Sequence, residues 1–343
     1  MFGWRGFAGI VAGAVALGLV TTARADAPLK LRVAWTETPT HLLPVAFSRP
    51  EILKHYGKTY TVEAIRFRGS APEIQALAAG ELDIATLGYS SFGLAILNAG
   101  MNDIRVIADG HRDGVPGYQT GPYLVLADGP IHRVEDLKGK VLGTNGIGGA
   151  AYFAMIKEMH DRGFEEKRDY QVVEVAFPNM LAALDAKKID LGPTAQPVTG
   201  IAERRGGYRS LFTIRDAMGG ETQMTLMSAR AAFIAVHRAA LVDFFEDFQR
   251  ATRWFTDPKN RAAAIAILSD FTKRPPDDFA DWLFTKDDSY HDPDAKPNLA
   301  ALQRNLDDLH RLGVLKEAVD VKSHADLSPV EEAAQRLATV KEP

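Results

Sequence analysis

Apolar residues alternate with charged ones at the head of the chain, in Leu29-Lys30-Leu31-Arg32-Val33-Ala34-Trp35, and predict a strand over 29–35 that ends at a polar loop. The spacing then changes. Residues 42–53 are helical in tendency up to Pro50, and 61–67 alternate again as a strand. The chain is organised around residues 72–91. Ser70, Pro72 and Glu73 read as a helix start with a capping box, and Ile74, Leu77 and Ala78 recur at helical spacing until Gly80. The apolar run 82–87 suits a strand covered on both faces, and Gly88-Tyr89-Ser90-Ser91 leads into a helix over 92–98. A strand at 104–108 closes a first β-α-β-α-β unit.

The pattern then repeats. Leu77-Ala78-Ala79-Gly80-Glu81-Leu82-Asp83-Ile84-Ala85 is echoed 107 residues later by Leu184-Asp185-Ala186-Lys187-Lys188-Ile189-Asp190-Leu191-Gly192. Each copy follows a β-type run ending in phenylalanine, 62–67 and 172–177. The second unit reads as strand 123–127, turn 136–140, strand 141–144, helix 150–162, strand 172–177, helix 179–187 and strand 189–192. Glycine-rich stretches at 110–121 and 216–225 suit two crossovers between lobes. From Ser228 onward the periodicity is helical, notably over 241–256, 261–268 and 299–312, and Gly313 ends the last of these. The fold class expected is α/β, with two lobes, each a sheet flanked by helices, and C-terminal helices packed on the first. The expected division is a leader at 1–25, lobe 1 at 26–116, lobe 2 at 117–220, and a return to lobe 1 with the C-terminal helices at 221–343.

Composition narrows the function. Arg5, the uncharged apolar run 6–20 and Ala23-Arg24-Ala25 form an export signal with cleavage expected after Ala25, which places the mature chain in the periplasm. There is no cysteine among the 343 residues, which excludes disulfides, thiolate metal sites and a cysteine nucleophile. The net charge of −4, with both signs scattered, argues against a nucleic-acid partner. No cofactor, no metal and a monomer are expected. Gly146-Ile147-Gly148-Gly149-Ala150-Ala151 with Glu174 resembles a dinucleotide fingerprint, yet the unit sits mid-chain and the pattern alone is weak. Tyr290-His291-Asp292-Pro293-Asp294 has metal-binding residue types and reads as a polar loop.

In open α/β sheets ligands sit at the carboxyl ends of the strands. Those ends carry Trp35, Thr36, Thr38 and His41 after the first strand, Ser70 after the second, and Gly88, Tyr89, Ser90 and Ser91 after the third. The other lobe contributes Asn145, Gly146, Gly148, Gly149, Asn179 and Gln196. Glycines and hydroxyls just before helices leave backbone N–H groups for an anionic or polar head group. Trp35 and Tyr89 are flat walls for an organic body. His41, His111 and Arg112 are further charge candidates, and no arginine is placed inside the cleft by this reading.

The order of these signals resembles the type II periplasmic solute-binding proteins of ABC transporters, in the nitrate, sulfonate and taurine branch. The matching features are Gly80-Glu81-Leu82-Asp83-Ile84-Ala85, Asp136-Leu137-Lys138-Gly139-Lys140, the glycine-rich helix start at 146–149, residues 178–190, and the late helix at 245–258. The resemblance implies two lobes that close on a small organic anion and present it to an inner-membrane permease with its ATPase, without enzymatic chemistry. The alternatives are a periplasmic ligand sensor using the same cleft, and a neutral heterocycle such as a thiamine-precursor-like compound. Pyrimidine-precursor synthases of related fold carry a cysteine-rich motif that this chain lacks.

Overall fold

The computed structural model describes residues 27–339 together with Met1 and Gly3. The apolar run and cleavage site of the predicted leader lie outside the described residues. In chain order the elements are β1 (Leu29–Trp35), α1 (Leu43–Ala46), β2 (Tyr60–Arg66), α2 (Ser70–Ala79), β3 (Ala85–Gly88), α3 (Tyr89–Asn98) and β4 (Ile104–Asp113). The second unit holds β5 (Pro122–Leu126), β6 (Val141–Thr144), α4 (Ala150–Asp161), β7 (Gln171–Glu174), α5 (Met180–Asp185), β8 (Gly192–Pro193), α6 (Val198–Arg205), β9 (Tyr208–Thr213) and α7 (Ile214–Met218). The chain returns through β10 (Thr222–Arg230) and ends in α8 (Ala231–Thr256), α9 (Arg261–Thr272), α10 (Leu299–Arg311) and α11 (Ser328–Thr339).

Two five-stranded arrangements result. Parallel pairing joins β1 to β2, an isolated bridge from Val33 to Ile84 brings β3 alongside β1, and β10 runs antiparallel between β3 and β4. In the other, β6 pairs parallel with β7, Leu142 bridges to Leu191 beside β8, and β5 runs antiparallel between β8 and β9. The order 2-1-3-10-4 is thus answered by 7-6-8-5-9. In each, one strand that arrives by crossover is inserted antiparallel into a βαβ unit. This shared topology is the structural counterpart of the sequence echo.

The C-terminal helices cover the first sheet: α8 packs on α11, α1, β2 and β10, and α10 packs on α3 and β10. The stripe on α8 explains why, since Leu241, Phe244, Phe245 and Phe248 are buried against Leu31, Val33, Tyr60 and Ile107.

Three local expectations are corrected. Ser70 does not cap α2. It lies inside the first turn behind Gly69, and its Oγ accepts the Gly88 N–H at 3.1 Å. Glu73 does not reach back either; its side chain is buried and accepts the Thr86 N–H at 2.7 Å. The third helix begins at Tyr89 rather than Phe92, directly from the strand, because Gly88 is already extended and the two serines enter the first turn.

Candidate functional site

The carboxyl ends of both parallel pairs open on one cavity of about 840 Å³, within the size range of small-molecule sites. Helices α2, α3 and α4 all begin at its wall, where Ser70, Ala71, Ser91, Gly149 and Ala150 line it. First-turn N–H groups have no acceptor within their own helix, so these starts place positive potential on the cavity. Of the residues singled out by sequence, Thr36, His41, Ser70, Gly88 and Ser91 line it from the first sheet's side. Asn145, Gly146, Gly148, Gly149 and Gln196 line it from the second.

The remaining candidates have other roles. Tyr89 and Ser90 are sealed from solvent, and each donates to the start of α4: Tyr89 Oη to the Ala150 carbonyl at 3.3 Å, Ser90 Oγ to the Gly148 carbonyl at 2.8 Å. They fasten two helix starts together instead of facing the cavity. Trp35 packs its ring on Phe271 at 5.6 Å with Arg66 over its face, off the cavity wall. Thr38 keeps its Oγ1 buried and unpartnered, and Asn179 is exposed while its neighbour Phe177 lines the cavity. Gly88 lines the wall, but its N–H is committed to Ser70.

Sequence reading missed the charge. Arg66 and Arg68 line the cavity at the end of β2, both are exposed, and neither closes an ion pair among the described residues, although the Arg66 charge partly offsets the desolvation of Glu37, a carboxyl on the same wall. Opposite them Glu174 lines the second sheet's side and accepts the Ile147 N–H at 2.8 Å. The rule of strand carboxyl ends points to Ser70 after the second strand, whereas Arg66 closes β2 itself and Arg68 follows two residues later. Phe67, Ile147, Phe177, Ile214 and Met224 supply apolar wall.

The floor is polar and uncharged. Thr36 N–H donates to His41 Nδ1 at 3.2 Å, so the imidazole proton sits on Nε2, which faces Thr225 Oγ1 at 3.2 Å. Burial, with His291 nearby, lowers the His41 pKa to about 4. Burial, then His41, His291 and Arg112, lowers His111 to about 3. Burial alone lowers His291 to about 4. Asp113, also on the wall, is pushed up to about 6 by burial against hydrogen bonds from Thr120 Oγ1 and the Gly121 N–H. Arg112 is not free to meet a ligand; Asp109, Glu221 and Asp292 surround it.

Asp292 and Asp294 of the acidic loop are ion-paired to Arg112 and Arg253. His55, Asp243 and Glu246 bring three potential ligand atoms within 4.8 Å of one another. Lys54 and Arg336 already neutralise those carboxylates. Among the described residues no helix is long and apolar enough to cross a membrane.

The profile of the NMT1-like family matches residues 25–269. No curated protein matches the chain. Among solved structures, the periplasmic aliphatic sulphonate binding protein SsuA from Escherichia coli is similar over 89% of this chain and 99% of its own, at 18% identity and a TM-score of 0.69. The periplasmic nitrate-binding protein NrtA from Synechocystis PCC 6803 covers 91% and 90% at 15% identity, with a TM-score of 0.66. The desulfurization enzyme DSZB covers 90% and 99% at 14% identity, with a TM-score of 0.64. These likenesses establish a fold shared by binding proteins and an enzyme.

Proposed function

We propose, since the chain belongs to the NMT1-like family, that it is the solute-binding protein of an ABC importer, capturing a small organic anion between its two halves and delivering it to the permease. The observation that carries this reading is the convergence of three helix starts with Arg66 and Arg68 on one cavity. Such a wall replaces the hydration of an anionic head with fixed N–H dipoles and guanidinium groups. The apolar wall and the cavity of about 840 Å³ favour a solute with an organic body over a bare inorganic ion. SsuA is a sulphonate-binding protein and NrtA a nitrate-binding one, which supports an oxyanion head. The leader pattern over 1–25 agrees with a periplasmic protein. Capture and release require no covalent step, and a chain without cysteine has no thiol nucleophile.

A thermal-shift screen of the purified protein tests this. The panel holds alkyl and aryl sulfonates, the matching carboxylates, nitrate and neutral heterocycles. A ligand at 100 times its dissociation constant adds about 2.7 kcal/mol to native stability, a rise of several degrees. Sulfonates or carboxylates with organic bodies are expected to raise the midpoint, and to be recovered unchanged. A shift with neutral compounds alone, or conversion of the ligand, overturns the reading.

A further inference from the structure

Resting on the organic-anion reading, we propose that Thr225 and His111 form a second, uncharged recognition point that takes a neutral hydrogen-bond acceptor of the solute, a carbonyl, ether or aromatic ring nitrogen. The anionic head would then lie at Arg66, Arg68 and the helix starts. Thr225 and His111 are register partners across β10 and β4 and both line the cavity. A bulge between Gln223 and Thr225 turns consecutive residues, Met224 and Thr225, toward the same wall.

Hydrogen-bond accounting sets the donors. Thr225 Oγ1 accepts from His41 Nε2, whose tautomer is fixed by the Thr36 N–H, so the threonine proton is left to donate. His111 makes no side-chain hydrogen bond among the described residues, and its Nδ1 is sealed from solvent. An orphaned buried N–H is costlier than a bare lone pair, so the proton belongs on Nε2, where the cavity supplies room for a partner. Two adjacent donors on the floor are thus left for the cavity, with no acceptor for them among the described residues.

The surroundings favour an uncharged acceptor there. His41, His291 and Arg112 face His111, and with its own burial they hold the ring neutral. Asp113, two residues along β4, brings a carboxylate to the same wall and repels a second anion. Arg66 and Arg68, with Glu37 near the first, stand on the exposed end of β2. Charge is therefore read at the rim and neutral polarity at the floor.

Calorimetric titration of the purified protein with hexanesulfonate, and with the same chain carrying a ketone near its far end, tests the proposal. The wild type is expected to bind the ketone about tenfold more tightly, the worth of one hydrogen bond. That ratio should fall to near one in Thr225→Val and in His111→Leu and persist in Thr225→Ser. The double substitution Arg66→Gln, Arg68→Gln should weaken both probes together and leave the ratio intact. Thermal melts identify any variant that fails to fold, and the other variant then decides. Equal affinities in the wild type, or a ratio that survives both substitutions, overturn the proposal. If neither probe binds the wild type and the matching carboxylates also fail, the organic-anion reading falls and this one falls with it.

Discussion

Ser90 illustrates how a residue with ligand-like chemistry is claimed by structure. Its position after a strand and before a helix suits an anion donor, and sequence cannot distinguish that from a donor to a carbonyl 58 residues away. Replacing it with alanine leaves the Gly148 carbonyl unpaired where α3 meets α4. Ser90→Ala is expected to lower stability by about 1 kcal/mol, read as a drop of a few degrees in the thermal midpoint. A weaker affinity with an unchanged midpoint would return Ser90 to the ligand's side. Glu73 shows the same limit more sharply. The S-x-P-E pattern reads as a cap, but Thr86, thirteen residues on, takes the carboxylate into the core. Burial raises the Glu73 pKa to about 8, partly offset by the Thr86 N–H. The folded state therefore keeps a proton that the unfolded chain releases near the ordinary glutamate value. The Glu73 contribution to stability falls as pH rises through that interval and levels off above it. Relative to wild type, Glu73→Gln should therefore gain stability steadily from pH 5 to pH 8 in melts taken across that range. The rest of the pH dependence is a balance. Asp109 and Asp288, raised by burial to about 7, and Asp113, raised to about 6, act with the same sign as Glu73. His41, His111 and His291, lowered by burial, act with the opposite sign below their ordinary range. A difference between variant and wild type that does not change with pH would show that Glu73 is ionised when folded.

At the scale of elements, sequence resolves what is local. Strand 29–35 carries the bounds read from alternation and strand 141–144 those read after the turn at 136–140, and α4 starts at Ala150, as the glycine run implies. What it cannot resolve is pairing. Alternation over 104–108 breaks at Asp109 and Gly110, so the strand reads as finished, yet β4 continues to Asp113 because β10 lies beside it. The histidine floor is assembled only by that extension. Gly110 is its tight point: a Cβ there would stand 2.7 Å from Thr225 Oγ1 and 3.0 Å from the Thr225 carbonyl carbon. Gly110→Ala must push the two strands apart, a strain of about 1–3 kcal/mol. The melting midpoint should fall by several degrees. A wild-type midpoint would mean that the close approach of β4 and β10 at this bulge is not obligatory.

For the whole molecule the difficulty is sign. A chain with a formal charge of −4 repels anions at long range, so an anion-binding cleft must reverse the field locally. Removing residues 1–25 takes two arginines and no acids, leaving 38 basic against 44 acidic residues and a charge of −6. Helix starts act within a turn, whereas Arg66 and Arg68 are full charges on the exposed rim and reach farther into solvent. Their part is therefore expected in the encounter as well as the affinity. Stopped-flow association of an alkanesulfonate should slow as salt rises from 10 to 150 mM, where the screening length shrinks from about 30 to about 8 Å. In the Arg66→Gln, Arg68→Gln double variant the rate should be roughly tenfold lower at low salt. Its salt dependence should vanish or reverse, since only the repulsion by the net negative chain is left to screen. An association rate with the wild-type salt response would mean that the helix starts supply the attraction alone and that the two arginines are spectators at the rim.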